Sequence, residues 1–124
     1  MPILPKPRKT VLVVDDDPLI RMLAADMVTD AGFAAIEAHN ADEAIEVLEA
    51  NPDVSVIFTD VDMPGSMYGV KLAHVVRDRW PPIRIIVVSG YTTLSQNDLP
   101  EGGLFFRKPY IGRDIARALN DLAA

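Results

Sequence analysis

"VLVVDDDPL", residues 11–19, decides how this chain is read. Four apolar residues, three of them valine, run without interruption into Asp15, Asp16 and Asp17. A continuous rather than alternating apolar run is the mark of a parallel strand covered on both faces. Asp17 suits a helix N-cap, Pro18 the first helical position and Gly32 the C-terminal stop. Leu19, Leu23 and Met27 follow as an i, i+4 stripe. The stretch therefore predicts strand, acidic edge and helix, in that order. Adjacent carboxylates repel, so the acidic edge calls for a positive partner.

Working outward, the same alternation repeats. "FAAIEA" (33–38) predicts a short strand at the sheet edge. Asn40 with Glu43 three residues on resembles a capping box and opens a helix to Ala50, where Asn51-Pro52 ends it. Ala41, Ala44, Ile45 and Leu48 give its apolar face. "VSVIFTD" (54–60) and "IRIIVVS" (83–89) read as further buried strands, separated by a Pro/Gly turn and a helix over 69–79. "GYTTLSQNDLPEGG" (90–103) is polar with little helical periodicity, so its helix should be short, irregular or mobile. "LFFRK" (104–108) is a fifth strand, and Ile111, Ile115, Ala118, Leu119 and Leu122 mark a last amphipathic helix. Residues 1–9 read as an irregular lead-in to a single domain over 10–124.

The totals bound the function. The 124 residues suit one domain, and 49% hydrophobic content argues against disorder. A formal net charge of −6 argues against nucleic acid as partner. There is no cysteine, so thiolate metal sites and disulfides are excluded. No apolar run reaches the ~18 residues of a membrane span, and the N-terminus lacks a signal-peptide pattern. Cytoplasmic residence is the expectation, with no membrane partner.

Five β-α units predict an α/β fold: a five-stranded parallel sheet with helices on both faces, in the flavodoxin-like doubly wound order 2-1-3-4-5. Ligands of such sheets bind beyond the carboxyl ends of the strands. Those ends carry Asp15-Asp16, Asp60, Ser89 and Lys108-Pro109. Oxygen ligands without His or Cys favour a hard ion, and a site completed by water and phosphate suits Mg2+. Asp15, Asp16 and Asp60 carry three negative charges, and Mg2+ with Lys108 carries three positive ones. An anionic phosphoryl donor can approach a site balanced in this way.

"VVDDD", "FTDVDMPG", "VVSG" and "KPY", in this order, make the chain resemble the response-regulator receiver domains of two-component signalling, the CheY-like fold, over residues 10–123. The stretch "MPGSMYGVKLAHVVRDRWPPIRIIVVSGY" is similar to stand-alone receivers of alphaproteobacteria. The resemblance implies that Asp60 is the phosphoacceptor. It implies that Asp16 and Asp60 hold Mg2+ directly, Asp15 through water, and Asp62 through its backbone carbonyl. Ser89 and Lys108 would each meet a phosphoryl oxygen, and Lys108-Pro109 would be cis. The function implied is acceptance of a phosphoryl group from a sensor histidine kinase or phosphotransfer protein, and signalling by contact with a downstream protein. The domain would catalyse no reaction beyond its own phosphorylation and dephosphorylation. It would be read on the face from the fourth strand to the last helix, through which receivers can also dimerise.

Three features depart from the family pattern. The switch aromatic is Phe105, without a hydroxyl. The loop after Asp60 carries one extra residue, with Tyr68 in place of an aspartate. The interval from Ser89 to Lys108 is short. Tyr91 is therefore a second candidate for the switch, with phosphorylation ordering residues 91–103.

Plainer readings stand beside these. Asp17 is best explained as a cap, His39 and His74 as surface residues, Trp80 as cover for the core and Lys6, Arg8 and Lys9 as a solvated tail. Tyr110 is divided between packing and a partner role. A haloacid-dehalogenase-type phosphohydrolase would share the Asp nucleophile of "TDVDMP" but needs a longer chain and a later acidic pair. A flavodoxin-like cofactor binder would need a phosphate loop where three aspartates stand. A pseudo-receiver would lack part of the set Asp16, Asp60, Ser89 and Lys108. The start at Met1 and the end at Ala124 lead us to expect a stand-alone receiver; a receiver from a hybrid kinase is the alternative.

Overall fold

The computed structural model describes residues 9–62, 69–90 and 94–123. Strands β1 (Thr10–Val14), β2 (Ala34–Ala38), β3 (Val56–Asp60), β4 (Arg84–Ser89) and β5 (Leu104–Arg107) alternate with helices α1 (Pro18–Asp30), α2 (Ala41–Ala50), α3 (Gly69–Arg79) and α4 (Gly112–Ala123). All four strand pairings are parallel, and the order is β2-β1-β3-β4-β5, as expected from the sequence. Among the described residues between β4 and β5 stands a 3-10 turn, Gln96–Asp98, where the sequence predicts a helix that is short, irregular or mobile. Residues 1–8 of the lead-in lie outside the described residues.

Strand alternation divides the core into two layers. Leu12, Val14, Ile57, Ile85 and Val87 pack with Ala44 and Leu48 of α2 and Leu72 and Val76 of α3. Val11, Val13, Phe58, Ile86 and Val88 pack with Ala24 and Val28 of α1 and Ile115 and Leu119 of α4. β3, central between β1 and β4, is buried at every residue. The edge strand β2 is mostly half-buried. β3 begins two residues later than the apolar run because the Val54 amide bonds back to the Asn51 carbonyl in the preceding turn.

Local chemistry sets the helix ends. Asp17 Oδ1 accepts from the amides of Leu19 (2.9 Å) and Ile20 (3.2 Å) and caps α1. Gly32 closes the turn after α1 at φ +99°, a conformation that strains any residue with a Cβ. Asn40 Oδ1 accepts from the Glu43 amide at 2.8 Å. The Glu43 carboxylate accepts from the His39 amide, one residue short of a full capping box.

Two apolar patterns resolve differently from their spacing. In α1, Leu19 and Leu23 are exposed by 58% and 54%, while Ala24, Ala25 and Val28 face the sheet. Small residues on the inner side let a helix sit close, and the larger apolar ones are left outside. Ile111 precedes α4 and is also exposed. Trp80 covers the α2–α3 layer as expected, with the Arg79 guanidinium 4.4 Å from its ring centroid.

Candidate functional site

The carboxyl ends of β1, β3, β4 and β5 meet in one open cleft of about 630 Å³ lined by Asp15, Asp16, Asp60, Asp62, Gly90, Lys108, Pro109 and Tyr110, among others. Four strand ends converge because every strand of the sheet is parallel. Asp15 and Asp60 are buried and Asp16 is exposed, and each offers an oxygen within 4.8 Å of the others. The Lys108 ammonium stands 3.0 Å from Asp60 Oδ2 and 3.7 Å from Asp15 Oδ2. The Lys108-Pro109 bond is cis, as the resemblance implied.

The charges act on one another. Burial works against the Lys108 cation, but its hydrogen bond to Asp60 and the attraction of Asp60 and Asp15 prevail and raise its pKa. Burial raises the Asp15 pKa, and the nearby Asp60 and Asp16 carboxylates add to this against the opposing Asp17 amide and Lys108. Burial likewise pushes the Tyr110 phenol up. Tyr110 packs edge-on to Phe58, centroids 5.8 Å apart.

The fold thus holds an ionised Asp15 at a cost. A carboxyl with a raised folded pKa stabilises most below its unfolded value, 3.8, and loses that contribution as pH rises through the folded pKa. Asp15→Asn removes the charge and keeps an acceptor for the Asp17 amide, 3.0 Å from Oδ1. It is expected to stabilise the metal-free chain at neutral pH by about 1 kcal/mol, or ~4 °C in melting temperature. The gain should shrink as the pH is lowered towards 3.8. Thermal unfolding in EDTA across pH checks this.

Ser89 is fully buried at the end of β4. Its Oγ lies 3.0 Å from both carboxylate oxygens of Asp62, and the Gly90 amide donates to Asp62 Oδ2 at 2.9 Å. The Asp62 amide donates to Asp60 Oδ1 at 2.8 Å. The resemblance implies only a backbone-carbonyl role for Asp62, whereas the structure gives its side chain a place in the site. The one sequence signal was its position two residues after Asp60, at a strand end.

Phe105 is half-buried, pairs with Val87 in the sheet and packs on the α2–α3 layer. Tyr91 and the loop insertion at 63–68 lie outside the described residues. His39 pairs with Glu43, and His74 Nε2 hydrogen-bonds the Asp98 carbonyl at 2.9 Å; neither lines this cleft. The sequence also gave no warning of Arg21, whose guanidinium donates to the Asp15 carbonyl (2.9 Å) and to Glu37 (3.1 Å), tying α1 to the ends of β1 and β2.

The donor set fits a hard divalent cation: among the described residues three carboxylates converge, without sulfur or imidazole, on a cleft with the Lys108 ammonium beside it. No helix among the described residues is long and apolar enough to cross a membrane.

Comparison with known proteins agrees with the fold. The model of the response regulator receiver domain matches residues 11–99, and the chain belongs to that family. It has the architecture of the receiver domains of two-component response regulators. Its sequence is 46% identical over 83 residues to the hydrogenase transcriptional regulatory protein HoxA of Cupriavidus necator, covering 67% of this chain and 17% of that protein. It is 31% identical over 117 residues to the sensor kinase CckA of Brucella abortus, covering 91% of this chain and 12% of the relative. A response regulator receiver protein from Pseudomonas putida superposes with a TM-score of 0.82 at 29% identity, over 92% of this chain and 97% of that one. The chain spans 17–18% of the length of the curated regulators that match it, such as HoxA and the NtrX-like regulators of Rickettsia.

Proposed function

We propose that this domain accepts a phosphoryl group on Asp60 with Mg2+ bound, from a histidine kinase or phosphotransfer protein, and passes the signal on by protein contact. The observation that carries the reading is the Asp60 carboxylate between the Asp15–Asp16 pair and the Lys108 ammonium, at the carboxyl edge of a receiver sheet. An Asp60 oxygen attacks the donor's phosphorus in line. The new O–P bond forms as the donor's P–O or P–N bond breaks, and the electron pair leaves with the donor. Lys108 balances charge on Asp60 and then on the phosphoryl group, and the Ser89 hydroxyl and Gly90 amide are the donors for its oxygens. Asp15, Asp16 and Asp60 would hold Mg2+, with the Asp62 carbonyl beside them. The ion supplies neutralisation of the charge that gathers on the transferring group.

Leu19, Ile20, Met22, Leu23 and Ile111 are the large apolar side chains exposed among the described residues. Ile20 lines the cleft itself, so this apolar surface borders the acceptor. It supports docking of the phosphodonor protein on the α1 side. That leaves the face from β4 to α4, with Phe105 and Tyr91 as switch residues, for the downstream protein or a second copy. Cytoplasmic residence follows from such partners.

The test is intact mass after incubation with acetyl phosphate. A single phosphoryl adduct is expected that appears with Mg2+, fails to appear in EDTA and maps to the peptide holding Asp60. No adduct from any small phosphodonor would leave a receiver that signals by binding alone.

A further inference from the structure

Asp62 occupies the place this reading gives to the phosphoryl group. The two donors at the end of β4, the Ser89 hydroxyl and the Gly90 amide, both point to its carboxylate, at 3.0 and 2.9 Å. The third donor, Lys108, lies on Asp60 itself at 3.0 Å. The Asp62 backbone amide is held by Asp60 Oδ1 at 2.8 Å, which keeps the side chain tethered over the acceptor. Asp62 thus bridges the ends of β3 and β4 through its main chain on one side and its side chain on the other.

We infer that the Asp62 carboxylate is a built-in competitor for the phosphoryl seat, and sets the intrinsic rate at which Asp60 is phosphorylated. The inference rests on the phosphoacceptor reading above. A carboxylate and a phosphoryl group present the same thing to these donors: anionic oxygens taking charge-assisted hydrogen bonds. Ser89 is fully buried, so its hydroxyl exchanges partners within the site and not with bulk water. An incoming phosphoryl group gains the Ser89 and Gly90 bonds only as Asp62 gives them up. It also approaches a fourth carboxylate beside Asp15, Asp16 and Asp60, and like charge slows an anionic donor. Removing the competitor leaves both donors ready for the phosphoryl oxygens.

The experiment compares initial rates of adduct formation from acetyl phosphate, by intact mass, at one saturating Mg2+ concentration. In the reaction an Asp60 oxygen displaces acetate from phosphorus, and the bonding pair departs with the acetate. The wild type, Asp62→Asn and Asp62→Ala are compared, with thermal unfolding run on the same samples. Losing two charge-assisted bonds and one negative charge is expected to speed Asp62→Ala by about tenfold. Asp62→Asn keeps an oxygen acceptor without the charge and should fall between the other two, an order that a change in stability alone would not produce. Asp60-dependent adducts that form in both variants no faster than in the wild type would overturn the inference and leave the phosphoacceptor reading standing. No adduct in any of the three would overturn both. Adducts in the variants alone would support both.

Discussion

Asp60→Asn is expected to abolish the phosphoryl adduct while leaving the domain folded. The substitution keeps the shape of the side chain and an oxygen to accept the Asp62 amide, now 2.8 Å from Oδ1. It removes the anionic oxygen that would attack phosphorus, and a neutral carboxamide is a far poorer nucleophile. It also takes from Lys108 its partner at 3.0 Å and leaves Asp15 Oδ2 at 3.7 Å. The expected result is loss of all signal under conditions that label the wild type fully, with acetyl phosphate and Mg2+ present. Because Asp60 is buried beside Asp15 and Asp16, removing its charge relieves repulsion. Stability in EDTA should therefore stay level or rise, so that loss of the adduct is not mistaken for unfolding. An adduct retained on Asp60→Asn would place the acceptor elsewhere and remove the basis of the proposed function.

The largest effect on stability is expected at Ile57. It is the second residue of β3, between Leu12 of β1 and Ile85 of β4 in register, and is fully buried. Its side chain belongs to the layer closed by α2 and α3. Ile57→Ala deletes three carbons where neighbouring strands hold the backbone and limit collapse, so a cavity remains. A loss of about 4 kcal/mol is expected, a large part of the ~5–15 kcal/mol available to a domain of this kind. Leu19→Ala, on the outward side of α1, is expected to change stability by no more than about 0.5 kcal/mol. Urea unfolding of the two variants measures the contrast. Similar midpoint shifts would show that Ile57 is not held as the structure places it.

That contrast also shows where sequence reading stops. The uninterrupted apolar runs of β1, β3 and β4 are legible because a strand buried on both faces has no polar alternation to hide it. The caps at Asp17 and Asn40 are legible because their partners lie two or three residues away. The stripe Leu19–Leu23–Met27 has the same spacing as a core face, yet only Met27 of it packs against the core, beside the buried Ala24, Ala25 and Val28. A helix with apolar residues on more than one side, as here, has no single best face by periodicity. The choice depends on how closely α1 can approach β1 and β2.

The candidate site divides along the same line. Asp15, Asp16, Asp60, Ser89 and Lys108 could be named from the sequence because each ends a strand, and parallel strands bring their ends together. The chain's own pattern therefore determined the element order, the acidic edge and the lone lysine beside it. Only the tertiary structure decided that the Asp62 side chain turns to Ser89 and Gly90, that Arg21 locks the end of β1, and that Ile111 stands exposed near α1. Each of those outcomes depends on distances between segments remote in sequence. Local propensity acts over a few residues and carries no information about them.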